Sequence, residues 1–125
     1  MKTFGRFLVA PMVLFTLTAC YGGPSAPQIP SLMSPAGMTN TEAAAKNNEG
    51  VDHLVQGHYG ISENFFRDAI TAKPNFAEAQ FNLAVALDGQ GKHEDAKAAF
   101  QQALEFGADN PKIADQEILK KHLGM

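Results

Sequence analysis

Residues 77–110 read AEAQFNLAVALDGQGKHEDAKAAFQQALEFGADN, and much of this pattern already stands 34 positions earlier in the chain. Gln56-Gly57 recurs as Gln90-Gly91, Phe66 as Phe100 and Ala69 as Ala103, while Ile70 is answered by Leu104. A fixed period of about 20 to 50 residues marks a stacked-repeat architecture, in which no unit buries its apolar face alone. Within the stretch, Phe76, Ala79, Leu83 and Leu87 fall on one face of a helix, Gly89-Gln90-Gly91 makes a turn, and Ala96, Ala99-Phe100 and Ala103-Leu104 form a second helix ending near Gly107.

Working outward, Thr39 and Glu42 have capping-box spacing and predict a helix start. That helix runs through Ala43–Ala45, Gly50-Val51 and Leu54-Val55 to Gly57. A second spans Tyr59 to Ala72, with a stripe of Ile61, Phe65, Phe66, Ala69 and Ile70, and Pro74 ends it. Asn75 is placed to cap the third helix, with Glu78 three residues on. Beyond the repeats, Asp109 or Asn110 caps a last helix with Pro111 in its first turn. Its apolar side carries Ile113, Ala114, Ile118, Leu119 and Leu123, and Lys120, Lys121 and His122 sit where the helix dipole favours positive charge. The predicted fold is all-α: two helical hairpins, about 43–76 and 77–110, then a C-terminal capping helix over about 111–123, a short α-solenoid. Small residues at Gly50, Ala69, Ala84, Ala96 and Ala103 let helices approach closely, and Phe66, Leu83 and Phe100 fill the space between them.

At this point residues 77–110 resemble a tetratricopeptide repeat: Leu83-Ala84, Gly91, Ala96, Phe100 and Ala103 stand where that family places its packing residues. Residues 43–76 are similar through Gly50, Gly57, Tyr59, Phe66, Ala69 and Pro74. They depart at Lys46, Glu49 and His53, which replace usually apolar positions, and at Ser62 in place of Ala; Ala108 stands where Pro is usual. The resemblance implies a concave inner surface lined by the first helix of each pair. By the family's register this surface presents Asn47, Asn48, Val51 and Leu54, then Phe81, Asn82, Val85 and Asp88, with Gln116 and Leu119 from the last helix. An asparagine amide both donates to and accepts from a peptide backbone, and an exposed Phe81 beside Val85 offers an apolar seat. Some members hold a C-terminal carboxylate with a Lys/Asn/Asn/Lys/Arg set. The matching places here hold Asn47, Val51, Asn82, Lys112 and Gln116, so most of the positive charge is missing.

The chain's 125 residues have room for one domain, and residues 39–125 form the expected repeat domain. Residues 1–19 read as a signal peptide: Lys2 and Arg6 precede an apolar run from Phe7 to Leu17, too short to span a bilayer. Leu17-Thr18-Ala19-Cys20 resembles the lipobox of bacterial lipoproteins, where the chain is cleaved before the cysteine and the cysteine is lipidated, palmitate among its acyl chains. Tyr21 rather than Asp follows, pointing to the outer membrane facing the periplasm. Residues 20–38 form the lipidated Cys and a linker rich in Pro, Gly and Ser, read as semi-extended and without helix or strand.

The overall charge of −3 excludes the electrostatic footprint of a nucleic-acid binder. Removal of Lys2 and Arg6 leaves 8 basic against 13 acidic residues. His58 and His93 lie near the two turns and fall on one edge, but no carboxylate or Cys completes a metal site with them, and no metal or cofactor is expected. No serine has a nucleophile elbow, and Gly89-Gln90-Gly91-Lys92 joins two helices without the strand a phosphate loop needs, so no enzyme is expected. The reading is therefore a membrane-anchored envelope lipoprotein, an adaptor or scaffold taking a protein or peptide partner in its groove. The alternative is a structural assembly factor that self-associates, as a homodimer for example, with no separate peptide ligand.

Overall fold

The computed structural model describes residues 28–38 and 41–125. The signal segment, Cys20 and Thr39 lie outside them. Among the described residues, six helices follow a 3-10 turn at Ala36–Met38: α1 (Glu42–Val55), α2 (Tyr59–Ala72), α3 (Ala77–Gly89), α4 (His93–Gly107), α5 (Pro111–Ala114) and α6 (Glu117–Leu123). Helices α1/α2 and α3/α4 form antiparallel hairpins, α2 packs on α3, and α5 and α6 close the end against α4.

The two hairpin turns are built alike, which is the physical meaning of the recurring Gln-Gly. Gly57 and Gly91 take φ of +77° and +76°, a left-handed conformation open to glycine at no steric cost. In the first turn His58 N–H donates to His53 O at 3.0 Å, and in the second Lys92 N–H donates to Leu87 O at 2.9 Å. Each is a Schellman-type closure that satisfies carbonyls orphaned at the helix end.

Helix α3 is buried on every side, from Ala77 to Leu87 with the exception of Glu78. A helix apolar all round belongs at the centre of an assembly, and α3 has α2, α4 and α1 around it. Phe66, Phe81 and Phe100 are fully buried here, Phe81 meeting Phe100 edge-on at 5.6 Å between centroids. The hairpin α1/α2 nests because Gly50 has no side chain: a Cβ there would stand 2.6 Å from Phe66 Cε1.

Several expectations about local structure are corrected. The cap of α1 is Thr41, whose Oγ1 accepts from Ala44 N–H. Asn75 does not cap α3, which starts after Phe76 without a side-chain cap. The last helix is two, broken at Asp115 and Gln116, because Asn110 and Pro111 start a turn that lasts only to Ala114. Ile61 is 49% exposed and leaves the apolar stripe of α2.

Three of the departures from the repeat pattern, at Ser62, His53 and Lys46, have local explanations. Ser62 is small enough to be fully buried, and its hydroxyl donates to Tyr59 O at 3.0 Å. His53 stacks on Phe65 at 5.4 Å between centroids and Lys46 Nζ lies 5.5 Å from the same ring, so polar residues of α1 cover an aromatic that is not in the core. Among the described residues no helix is long and apolar enough to cross a membrane.

The linker expectation changes most. Residues 28–35 have no regular secondary structure, yet they lie against the helices, with Ile29 and Leu32 packed on the cluster that contains Val51, Leu54, Phe81 and Val85. They are part of the folded unit.

Candidate functional site

The asparagines of α1 and α3 are occupied by the chain itself. Leu32 N–H donates to Asn82 Oδ1 at 2.8 Å, and Asn82 Nδ2 returns a bond to Leu32 O at 2.7 Å. One asparagine amide thus satisfies both backbone groups of one residue outside any helix, the pairing a neighbouring β-strand would supply. Asn47 completes the clasp from α1: its Nδ2 donates to Leu32 O and to Ser34 Oγ, each at 3.1 Å, while its Oδ1 accepts from Asn82 Nδ2 at 2.8 Å. Two residues further along, Ser34 N–H donates to Asn48 Oδ1 at 2.8 Å and Ser34 Oγ donates to Ala44 O at 3.1 Å.

Helical spacing explains the alignment. Asn47 on α1 and Asn82 on α3 are 35 residues apart, and stacking the hairpins sets their amides side by side. Both are fully buried, and among the described residues every buried side-chain nitrogen and oxygen has a hydrogen-bond partner. Such polar groups are costly in a core unless fully paired; here the pairing depends on Leu32.

The eight expected groove residues therefore separate into three kinds. Asn47, Asn48 and Asn82 bond residues 32 and 34 directly. Val51, Leu54 and Val85 form the buried apolar floor. Two are corrected: Phe81 is fully buried against Phe100 and offers no exposed seat, and Asp88 contacts His93 and His122 rather than residues 32 and 34. Of the outer candidates, Leu119 is buried in the core and Gln116 Nε2 bonds Lys112 O at the start of α6. The occupant itself, Ile29 to Ser34, was missed. Its signal was the apolar pair Ile29 and Leu32 at i, i+3 in a Pro-, Gly- and Ser-rich linker, a weak one because Met33 beside them stays exposed.

Asp88 belongs to a second cluster. Its Oδ1 lies 2.8 Å from His93 Nδ1 and 2.8 Å from His122 Nε2. Burial pushes the Asp88 carboxyl up, but its contacts with the His93 and His122 imidazoles outweigh it and hold the group below the usual carboxylate range. The expected pairing of His58 with His93 does not form: His58 lies beside His53, and His93 beside His122. On the α2 side of the same turn, Glu63 receives Arg67, Gln90 and Lys92 at 2.8 to 3.1 Å. Burial opposes its ionised form, but these three donors bring its pKa from 4.5 down to about 2.

The family model described as tetratricopeptide repeat matches residues 47–111, more than half of the chain, and the chain belongs to that family. It is also similar to "BBSome complex member BBS4" of Bos taurus, 33% identical over 66 residues that make up 53% of this chain and 13% of that protein. The matched stretch is thus a small part of that relative's length. No solved structure matches the chain. A domain of this family is typically non-catalytic, and membership implies protein–protein interaction without specifying the partner.

Proposed function

We propose that this protein is an envelope lipoprotein whose repeat domain captures an extended polypeptide by its main chain, in competition with its own residues 28–34. The observation that carries the reading is the two-way bond of Asn82 to Leu32, supported by Asn47. These contacts read backbone, so the groove selects for an extended chain, with a seat for one apolar side chain where Leu32 packs. The occupant being a segment of this same chain also favours a second reading, exchange of residues 28–34 between two copies, which makes the array a self-assembling scaffold.

The lipid anchor is proposed on the positive start, the apolar run and the single Cys20 at its end. Two or three acyl chains hold a protein stably at a bilayer without spanning it. In this reading the outer membrane, facing the periplasm, is its place. With Cys20 anchored and Gln28 docked, the tether covers at most about 28 Å at roughly 3.5 Å per residue. Release of the segment frees the chain as far as α1 and more than doubles that reach.

The test uses a labelled peptide QIPSLMSP, the sequence of residues 28–35, titrated onto wild type and onto Leu32→Pro, which lacks the Leu32 N–H. Saturable binding to Leu32→Pro, much weaker binding to wild type, and its loss on adding Asn82→Ala are the expected results. No binding to the opened groove refutes polypeptide capture. Sedimentation of the same variants separates the second reading: a wild-type dimer that Leu32→Pro dissociates identifies segment exchange. Acyl labelling that survives Cys20→Ser rejects the anchor.

A further inference from the structure

Helices α3, α4 and α6 bring one carboxylate and two imidazoles to a single point. Asp88 is in the last turn of α3, His93 opens α4, and His122 is in the last turn of α6. One ligand-type atom from each lies within 4.8 Å of the other two. The sequence places Asp88 and His93 only five positions apart, but His122 reaches them through the fold alone.

The hydrogen-bond logic at His122 is the informative part. Its Nδ1 lies 2.9 Å from Ile118 O, and a carbonyl only accepts, so Nδ1 carries a hydrogen. In the neutral ring Nε2 then bears a lone pair, aimed at Asp88 Oδ1 from 2.8 Å. An ionised carboxylate also only accepts, so two lone pairs face each other unless a proton or a metal cation stands between them. A histidine whose far nitrogen is fixed on a backbone carbonyl, leaving the near nitrogen free, has the tautomer and orientation of a metal ligand with its outer contact already made. The ring is also held: its side chain is 14% exposed and its centroid lies 5.0 Å from that of Phe100.

We propose that Asp88, His93 and His122 form a binding site for a borderline divalent cation, zinc above all. Two imidazoles and one carboxylate are a donor set zinc accepts, with a fourth position left to water. Bonds of about 2.0 to 2.2 Å put tetrahedral ligands roughly 3.3 to 3.5 Å apart. The two 2.8 Å contacts therefore open by about half an ångström, and His93, whose side chain is 67% exposed, is free to make that adjustment and leaves the approach open. The carboxylate supplies one negative charge against the cation's two, and the remaining lone pairs stop opposing one another. Bound there, the ion ties the C-terminal helix to the turn of the second repeat.

The test is titration of Zn²⁺ into chelator-stripped full-length protein against a chromophoric chelator, with thermal melting alongside. Wild type is expected to bind one equivalent and to melt at higher temperature when loaded. His93→Ala, at an exposed position that leaves the fold intact, is expected to lose at least tenfold in affinity together with the melting shift. Asp88→Asn with the same loss places the carboxylate in the site. His53→Ala, remote from the cluster, is expected to bind as wild type does. No saturable binding, or binding undiminished in His93→Ala, overturns the site and leaves a His–Asp–His hydrogen-bond array with a proton on His122 Nε2.

Discussion

Replacing Asn82 by alanine isolates the contact on which the groove depends. Asn82 makes three side-chain hydrogen bonds: from Leu32 N–H, to Leu32 O and to Asn47 Oδ1. Each contributes about 1 kcal/mol net, but a buried group left without a partner costs about 1 to 3 kcal/mol. In Asn82→Ala, Leu32 O keeps its bond from Asn47 at 3.1 Å, whereas Leu32 N–H and Asn47 Oδ1 lose theirs. Undocking lets water reach both orphaned groups. The docked state of residues 28–34 therefore weakens by about 2 to 3 kcal/mol relative to the undocked one, with the helices still folded.

Native-state hydrogen exchange reads this directly. At about 1.4 kcal/mol per decade, the Leu32 amide exchanges roughly 30 to 150 times faster in Asn82→Ala. The Ser34 amide, bonded to Asn48 at 2.8 Å, accelerates with it because the segment opens as one unit. Amides in the middle of α4, around Ala103, respond only to the smaller global loss. Leu32 and Ala103 accelerating by the same factor would refute the reasoning, since the segment then has no opening equilibrium of its own. So would a Leu32 amide unprotected in wild type.

Three further perturbations test the packing and the charges. Phe81→Ala truncates a fully buried ring set against Phe100 and is expected to cost about 3 to 5 kcal/mol, read from the denaturant midpoint; an unchanged midpoint contradicts its placement. Gly50→Ala puts a Cβ 2.6 Å and 2.8 Å from Phe66 ring atoms and 3.1 Å from Phe65 Cβ, so it lowers stability by about 1 to 3 kcal/mol despite alanine's better helix propensity. A higher melting temperature in this variant rejects the close approach of α1 and α2. Glu63→Gln is expected to cost about 1 to 2 kcal/mol at neutral pH, after discounting for the exposure of Arg67 and Lys92. Because the folded pKa of Glu63 is about 2, below its ordinary 4.5, the carboxylate's contribution is full above about pH 4.5 and is lost as pH falls toward 2. Paired melts of wild type and Glu63→Gln therefore converge in acid; a gap that persists below pH 2 excludes ionisation as its cause.

What was legible in the chain followed from periodicity. The repeat of Gln-Gly, Phe and Ala at 34 residues encodes equivalent turns and equivalent packing, so the hairpins could be read without any long-range information. The family's register sets the expectation that Asn47 and Asn82 share a face, and the structure sets their amides 2.8 Å apart. Phe81 could not be placed so: its flanks, Gln80 and Asn82, are polar by composition, yet α3 is enclosed on all sides and buries them too. Proline and glycine counts speak against helix and central strand over residues 21–38; residues 28–35 have neither, but Ala36–Met38 form a 3-10 turn, and the counts carry no information about docking. That depended on two apolar side chains and on amides 15 to 50 residues away. The cluster at Asp88 was illegible for the same reason, since His122 joins it only once α6 folds back onto α4.

The occupied groove sets a quantitative condition on partner capture. A ligand that binds only the open form shows an affinity reduced by the fraction of open molecules. If docking of residues 28–34 is favoured by about 4 kcal/mol, roughly one molecule in a thousand is open and a competing peptide binds about a thousandfold more weakly than to an unobstructed groove. The same opening constant governs exchange of the Leu32 amide in wild type. The ratio of QIPSLMSP affinities for Leu32→Pro and for wild type must therefore match the protection factor of that amide, although one comes from titration and the other from isotope exchange. Agreement within a few-fold means that one equilibrium controls both. A protection factor in the thousands beside equal peptide affinities means that the peptide binds elsewhere, and Asn47 and Asn82 are then structural partners of Leu32 rather than a recognition site.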